Sequence, residues 1–271
     1  MRIVLVMSAL YALVVLAAYV FQHRLLYYPD AVGAGEIRRM AAGVGLALWP
    51  PDVPDPEYRA LVSAGSGHRY RGSVVVFHGN AGSAIQRACY PAALEPLGFR
   101  VILAEYPGYA GRQGNPGEKA FVADARETVR LVRRSFGGPV YLWGESLGCG
   151  VAAGVAADSR IDGLVLVTCW DSLVSVARAH YRYLPVNWLL KDRYDSVANL
   201  RHFNRPVAVV MAGRDTVIPN AATRNLYSRL HAPKRLWIFE EATHNSWPTA
   251  PGLAWWREVM NFVGRTKPAG C

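Results

Sequence analysis

The sequence predicts an α/β fold: a mostly parallel β-sheet with helices on both faces, carrying a small inserted cap and preceded by an apolar N-terminal helix. Three observations predict it. Short runs rich in Val, Ile and Leu recur at 73–77, 100–105, 139–144, 163–170, 206–212 and 235–239. Segments of helical character separate several of them. Polar, glycine-bearing motifs fall at the carboxyl ends of several runs. Alternating strands and helices imply parallel strands joined by helical crossovers. Strands that are apolar throughout are those buried on both faces. The 271 residues suit one large α/β domain with a short appendage, and a 52% hydrophobic composition supplies its core.

The first element is residues 3–21, an apolar run without a charge. About twenty such residues cross a bilayer as a helix. Arg2 precedes the run, His23 and Arg24 follow it, and Tyr27 and Tyr28 suit a membrane interface. An uncleaved anchor over 1–24 is the leading expectation. A cleaved signal peptide would normally have a shorter apolar region, and a buried core helix is the other alternative. The flanking charges do not select a membrane side. The next residues, through Gly67, are rich in Gly, Pro and Ala; Trp49-Pro50-Pro51-Asp52 and Pro54-Asp55-Pro56 read as turns, so this stretch predicts edge strands or a surface linker.

From Gly72 onward the strand-and-helix alternation begins. Residues 118–136 place Phe121, Val122, Ala125, Val129 and Val132 on one helical face, and 221–230 and 253–263 read similarly. Residues 25–271 therefore read as one α/β domain, with an insert around 171–205 that is neither clean strand nor clean helix. No internal repeat or low-complexity tract is present.

Net charge is +10, carried almost wholly by arginine, with mild clusters at 130–134 and 178–205. The charge is scattered and accompanies no nucleic-acid-binding motif, so a solvated basic surface or attraction to anionic lipid accounts for it, without a nucleic-acid partner. Cys89, Cys149, Cys169 and Cys271 do not read as a disulfide framework in a chain with so large a core, and Cys149 and Cys169 sit in apolar stretches as small hydrophobes. No Cys/His spacing suggests a metal, and no cofactor is implied.

Parallel sheets carry their sites at the carboxyl ends of strands. Gly144-Glu145-Ser146-Leu147-Gly148 lies between a strand and a small-residue helical stretch at 148–157. That context suits a nucleophile elbow, in which a strained turn exposes the serine and small residues flank it at two positions either side. A serine needs a base, and the base needs a carboxylate to orient it. His244 follows the last strand, and Asp215, in Gly213-Arg214-Asp215-Thr216-Val217-Ile218-Pro219, follows the one before; Asp171 is the rival acid. Asp192 and Asp195 read as surface residues. His78 reads as structural, and His23, His68, His180, His202 and His231 lack a strand end before them. The N–H of Leu147 and that of Asn80, in His78-Gly79-Asn80-Ala81-Gly82, suit an oxyanion hole.

These motifs, with Tyr106-Pro107-Gly108-Tyr109 and Thr243-His244-Asn245, resemble the bacterial α/β-hydrolases of the Bem46 and serine-aminopeptidase-like (ABHD-type) group. The resemblance spans about residues 25–263. It implies an α/β-hydrolase fold, the triad Ser146, Asp215 and His244, and often an N-terminal anchor, which in a bacterium would lie in the inner membrane. Relatives usually have an acidic residue followed by Tyr-x-Gly-Tyr-Gly-x-Ser, whereas here the segment continues Glu105-Tyr106-Pro107-Gly108-Tyr109-Ala110-Gly111-Arg112-Gln113, which predicts a reshaped loop.

The insert carries Arg178, His180, Tyr181, Arg182, Tyr183, Leu184, Trp188, Leu189, Leu190 and Tyr194, a mixture of rings and bases suited to a membrane interface. The expected activity is hydrolysis of acyl esters or thioesters, with a small or lipid-like substrate. An amidase or peptidase with the same triad, and a membrane-anchored binding protein with a dead site, are the alternatives.

Overall fold

The computed structural model describes residues 1–65, 69–157 and 159–264; His68 and Cys271 lie outside them. An eight-stranded sheet is built from β1 (Leu46–Trp49), β2 (Ala60–Ser63), β3 (Gly72–Phe77), β4 (Phe99–Ala104), β5 (Val140–Glu145), β6 (Gly163–Val167), β7 (Val207–Ala212) and β8 (Lys234–Phe239). In space the strands run β1-β2-β4-β3-β5-β6-β7-β8. β2 is antiparallel to both of its neighbours and every other pair is parallel. The six expected strands are all present, with ends shifted by a residue or so, except that β6 stops at Val167. Beyond it Thr168 adopts φ 49°, which leaves the strand conformation.

The 25–67 stretch holds β1 and β2 as an antiparallel edge hairpin, and also α2 (Ala34–Gly43), which the sequence did not announce. Its buried stripe is short (Ala34, Ile37 and Ala41), and glycines at 33, 35 and 43 weaken the helical signal.

Alternate residues of each strand feed opposite faces. Val75, Phe77, Ile102, Leu142 and Leu166 pack with α4 (Glu118–Phe136) and α5 (Leu147–Ala156). Val74, Val76, Leu103, Trp143 and Val165 pack with α2, α3 (Cys89–Leu94) and α9 (Ala254–Val263). α4 forms as its sequence predicts. Phe121, Ala125, Val129 and Val132 are buried, Glu118 lies in the first turn, and Arg133 and Arg134 lie in the last, complementing the helix dipole. Burying a side chain such as Phe121 or Val129 contributes roughly 1.5–3 kcal/mol.

The register positions the site. Phe77 lies opposite both Ala104 on β4 and Gly144 on β5, so the carboxyl ends of three strands finish side by side. The insert folds into α6 (Leu173–His180), α7 (Val186–Leu189) and α8 (Ser196–Leu200). The N-terminal helix α1 (Arg2–Leu26) is long and apolar enough to cross a membrane. None of its residues is buried, which removes the core-helix alternative.

Candidate active site

The turn from β5 into α5 holds Ser146 at φ 50° and ψ −113°, the strained conformation required of an exposed nucleophile. Its neighbours must be glycine for lack of space. A Cβ on Gly144 would stand 2.5 Å from the Gly148 carbonyl oxygen, and one on Gly148 would stand 2.1 Å from the Phe77 carbonyl oxygen. The β3 backbone and the helix start thus touch directly behind the serine.

The three residues selected from the sequence come together. Ser146 Oγ lies 3.0 Å from His244 Nε2, and His244 Nδ1 lies 2.8 Å from Asp215 Oδ2. The other carboxylate oxygen, Oδ1, accepts the backbone N–H groups of Val217 (2.9 Å) and Ile218 (2.8 Å), which fixes the acid's orientation. The Asp215 side chain is 2% exposed, so its charge is satisfied by these partners rather than by water. The rival acid is placed elsewhere. Asp171 accepts from Ser172 N (2.7 Å), from Asn225 Nδ2 (2.5 Å) and from the Ser175 hydroxyl, which commits it to the start of α6.

Leu147 opens α5, where the first N–H groups have no intrahelical acceptor and the helix dipole favours negative charge. Asn80 faces the same cavity as Ser146 and Leu147. Its loop is held from three sides: the Asn80 carbonyl accepts Tyr28 N–H (2.9 Å) and the Tyr109 hydroxyl (2.7 Å), and its side-chain amide donates to Leu26 O (2.8 Å). His78 is buried below, one ring nitrogen 2.9 Å from Gly79 O and the other 2.9 Å from Glu105 Oε1. The Tyr106 hydroxyl donates to His78 O (2.7 Å), and burial pushes that phenol well above its usual pKa, so it stays a donor. The Tyr106–Tyr109 motif therefore braces the loop that carries Asn80. The segment after it turns at Ala110 (φ 46°) and Gly111 (φ 75°), where a Cβ on Gly111 would meet the Ala34 backbone nitrogen at 2.1 Å.

Two features escaped the sequence reading. Asp192, expected at the surface, is buried: it accepts the Tyr27 hydroxyl (2.7 Å) and Glu118 N–H (3.1 Å) and pairs with His23 (3.1 Å). The reason is tertiary, because α1 and α4 close over it. Burial, above all, raises the Tyr27 pKa far above its usual value, so the phenol keeps its proton beside this carboxylate. The second feature is the wall of the cavity. A cavity of about 440 Å³ opens over Ser146, lined by Trp170, Leu173, Val176, Leu184 and Leu190 among others, and also by Ala18, Gln22, Leu25 and Leu26 of α1. The polar Gln22 inside an apolar helix was the one available signal. The size and apolar lining are those of a small-molecule pocket with few polar groups.

Residues 72–201 match the family model described as alpha/beta hydrolase fold. An uncharacterized protein of Mycobacterium tuberculosis is 32% identical over 263 residues, covering 92% of this chain and 89% of that one. A Danio rerio protein named lysophosphatidylserine lipase ABHD12 is 30% identical over 184 residues, 60% of this chain and 48% of its own length. Among solved structures, a monoacylglycerol lipase of Paleococcus ferrophilus superposes with TM-score 0.55 at 20% identity, over 73% of this chain and 95% of that one. A Pyrococcus furiosus esterase superposes with TM-score 0.60 at 16% identity, over 76% and 86%.

Proposed function

The chain belongs to the α/β-hydrolase family, and from that premise we propose that it is a membrane-anchored serine hydrolase that cleaves acyl esters. The observation that carries this reading is the hydrogen-bonded line from Ser146 through His244 to Asp215 at the floor of an apolar cavity. In the reaction, Ser146 Oγ attacks the substrate carbonyl while His244 Nε2 takes its proton. Asp215 holds the imidazole so that Nδ1 keeps its hydrogen and Nε2 is free to act as base. The carbonyl oxygen becomes an oxyanion and receives the N–H groups of Asn80 and Leu147. Collapse breaks the ester bond, His244 returns the proton to the leaving alcohol, and the acyl group remains on Ser146. Water, deprotonated by the same histidine, then attacks the acyl-enzyme and releases the acid.

The cavity favours a single apolar acyl chain. A lipid-like monoacyl ester, of the kind named for the lysophosphatidylserine and monoacylglycerol lipases similar to this chain, fits its size and lining. α1 serves as the anchor that keeps the site near such substrates. The test is covalent labelling by a fluorophosphonate. Wild-type protein is labelled and Ser146→Ala is not; a folded wild-type protein that resists labelling overturns the proposal. A screen of p-nitrophenyl esters against chain length, with matched thioester and anilide substrates, then reads the acyl preference and the class of bond.

A further inference from the structure

An anchor whose sole task is tethering needs no contact with the catalytic domain beyond its end. α1 instead stays in contact with the cap along much of its length. Tyr11 donates its hydroxyl to Tyr183 O (2.8 Å). The Lys191 ammonium sits 4.3 Å above the Tyr19 ring. Gln22 uses its whole side-chain amide: Nε2 donates to Leu189 O (3.1 Å) and Tyr19 O (2.8 Å), and Oε1 accepts Lys191 N–H (2.8 Å). At 100° per residue, Tyr11, Ala18, Gln22, Leu25 and Leu26 fall on one stripe of the helix. From Tyr11 to Leu26 that stripe is about 22 Å long, at 1.5 Å per residue, against an apolar bilayer core of about 30 Å. A cap bonded to the helix over that distance shares its surroundings. Two cap carbonyls that meet α1, those of Tyr183 and Leu189, receive donors from it, as low-dielectric surroundings require.

The same stripe continues into the cavity, which Ala18, Gln22, Leu25 and Leu26 line together with the cap residues Val176, Leu184 and Leu189. Leu25 (62% exposed), Tyr181 (59%) and Val217 (47%) line the cavity and also reach the surface, so its mouth carries apolar and aromatic groups from the helix, the cap and the loop after β7. We propose that α1 is a wall of the substrate site as well as an anchor: the acyl chain lies along its 18–22–25–26 face, and the small side chain of Ala18 sets how long a chain the site accepts. The proposal rests on the ester-hydrolase reading of Ser146 and adds the substrate's position to it.

The experiment uses the full chain in detergent micelles with p-nitrophenyl acetate, octanoate and palmitate. Ala18→Leu and Ala18→Trp place progressively more bulk on the wall, and the ratio of kcat/KM for palmitate to that for acetate should fall by at least about tenfold in the larger variant, since a pocket discriminates by roughly tenfold or more per methylene it refuses. Val20, 55% exposed and about 200° around the helix from Ala18, is the control; Val20→Trp should keep the wild-type ratio. Fluorophosphonate labelling reports a folded site in each variant, and if the Trp variant does not fold, the Leu variant carries the measurement. A labelled Ala18→Leu protein with an unchanged chain-length ratio overturns the proposal while leaving the esterase reading standing. A folded wild-type protein that is not labelled overturns the reading, and the proposal with it.

Discussion

Replacing Asp215 by asparagine tests the site most sharply, because the structure dictates how the new side chain sits. Oδ1 of Asp215 accepts two backbone N–H groups, from Val217 and Ile218. An asparagine must keep its oxygen there, since turning the amide would aim its NH₂ at two donors and leave them unpaired in a site 2% exposed. Its nitrogen is therefore directed at His244 Nδ1, across what is now a 2.8 Å hydrogen bond. A donor at that place demands an unprotonated Nδ1, so the ring's hydrogen moves to Nε2 and points at Ser146 Oγ. The ring then has no lone pair for the serine proton. Loss of the correct tautomer costs about 10⁴-fold in kcat in serine-triad enzymes, which corresponds to about 5.4 kcal/mol of transition-state stabilisation. Folding should be nearly untouched, because both backbone bonds to Oδ1 survive. The assay is hydrolysis of p-nitrophenyl butyrate together with the rate of fluorophosphonate labelling, with thermal unfolding alongside. Activity within tenfold of wild type, in a protein melting at the wild-type temperature, would refute the tautomer argument and with it the assignment of Asp215.

Other expectations follow from the same geometry. Gly148→Ala drives a Cβ to 2.1 Å from Phe77 O and 2.8 Å from His78 O, so β3 must part from α5 and the distance between Asn80 and Leu147 widens. A loss of about 10²–10³ in kcat, the usual effect of one missing oxyanion donor, should accompany a lower melting temperature. Asp124 receives both Arg59 (2.6 Å) and Arg112 (2.8 Å), the latter only 6% exposed, and Asp124→Ala leaves that guanidinium buried without its carboxylate. The expected cost is about 3–5 kcal/mol, read as a shifted midpoint in urea. Burial holds the Cys149 thiol well above its usual pKa, so the thiolate is disfavoured in the native state at neutral pH. Iodoacetamide should modify Cys149 only after denaturant is added; rapid modification of the native protein would contradict its burial behind Ser146.

Much of the candidate site is legible in the sequence alone. Ser146, Asp215 and His244 announced themselves because strand-end positions, turn glycines and chain order are local features, written within a few residues of each group. The strands were legible for a similar reason: the central strands of a sheet buried on both faces are apolar almost throughout. α2 was hidden because its stripe is short and interrupted by glycines, and the burial of Asp192 was hidden because the groups that cover it, Tyr27 and Glu118, lie far away in the chain.

The sequence by itself determined the fold class, the candidate nucleophile with its base and acid, and a helix apolar enough for a membrane, since each depends on side-chain type and on spacing along the chain. Only the tertiary structure placed the Asp215 carboxylate on His244 and that of Asp171 at the start of α6. It also turned the apolar helix from an appendage into a wall of the cavity over Ser146. That outcome depends on which face of α1 meets the cap, and a contact between residues more than 150 apart leaves no local pattern in either segment.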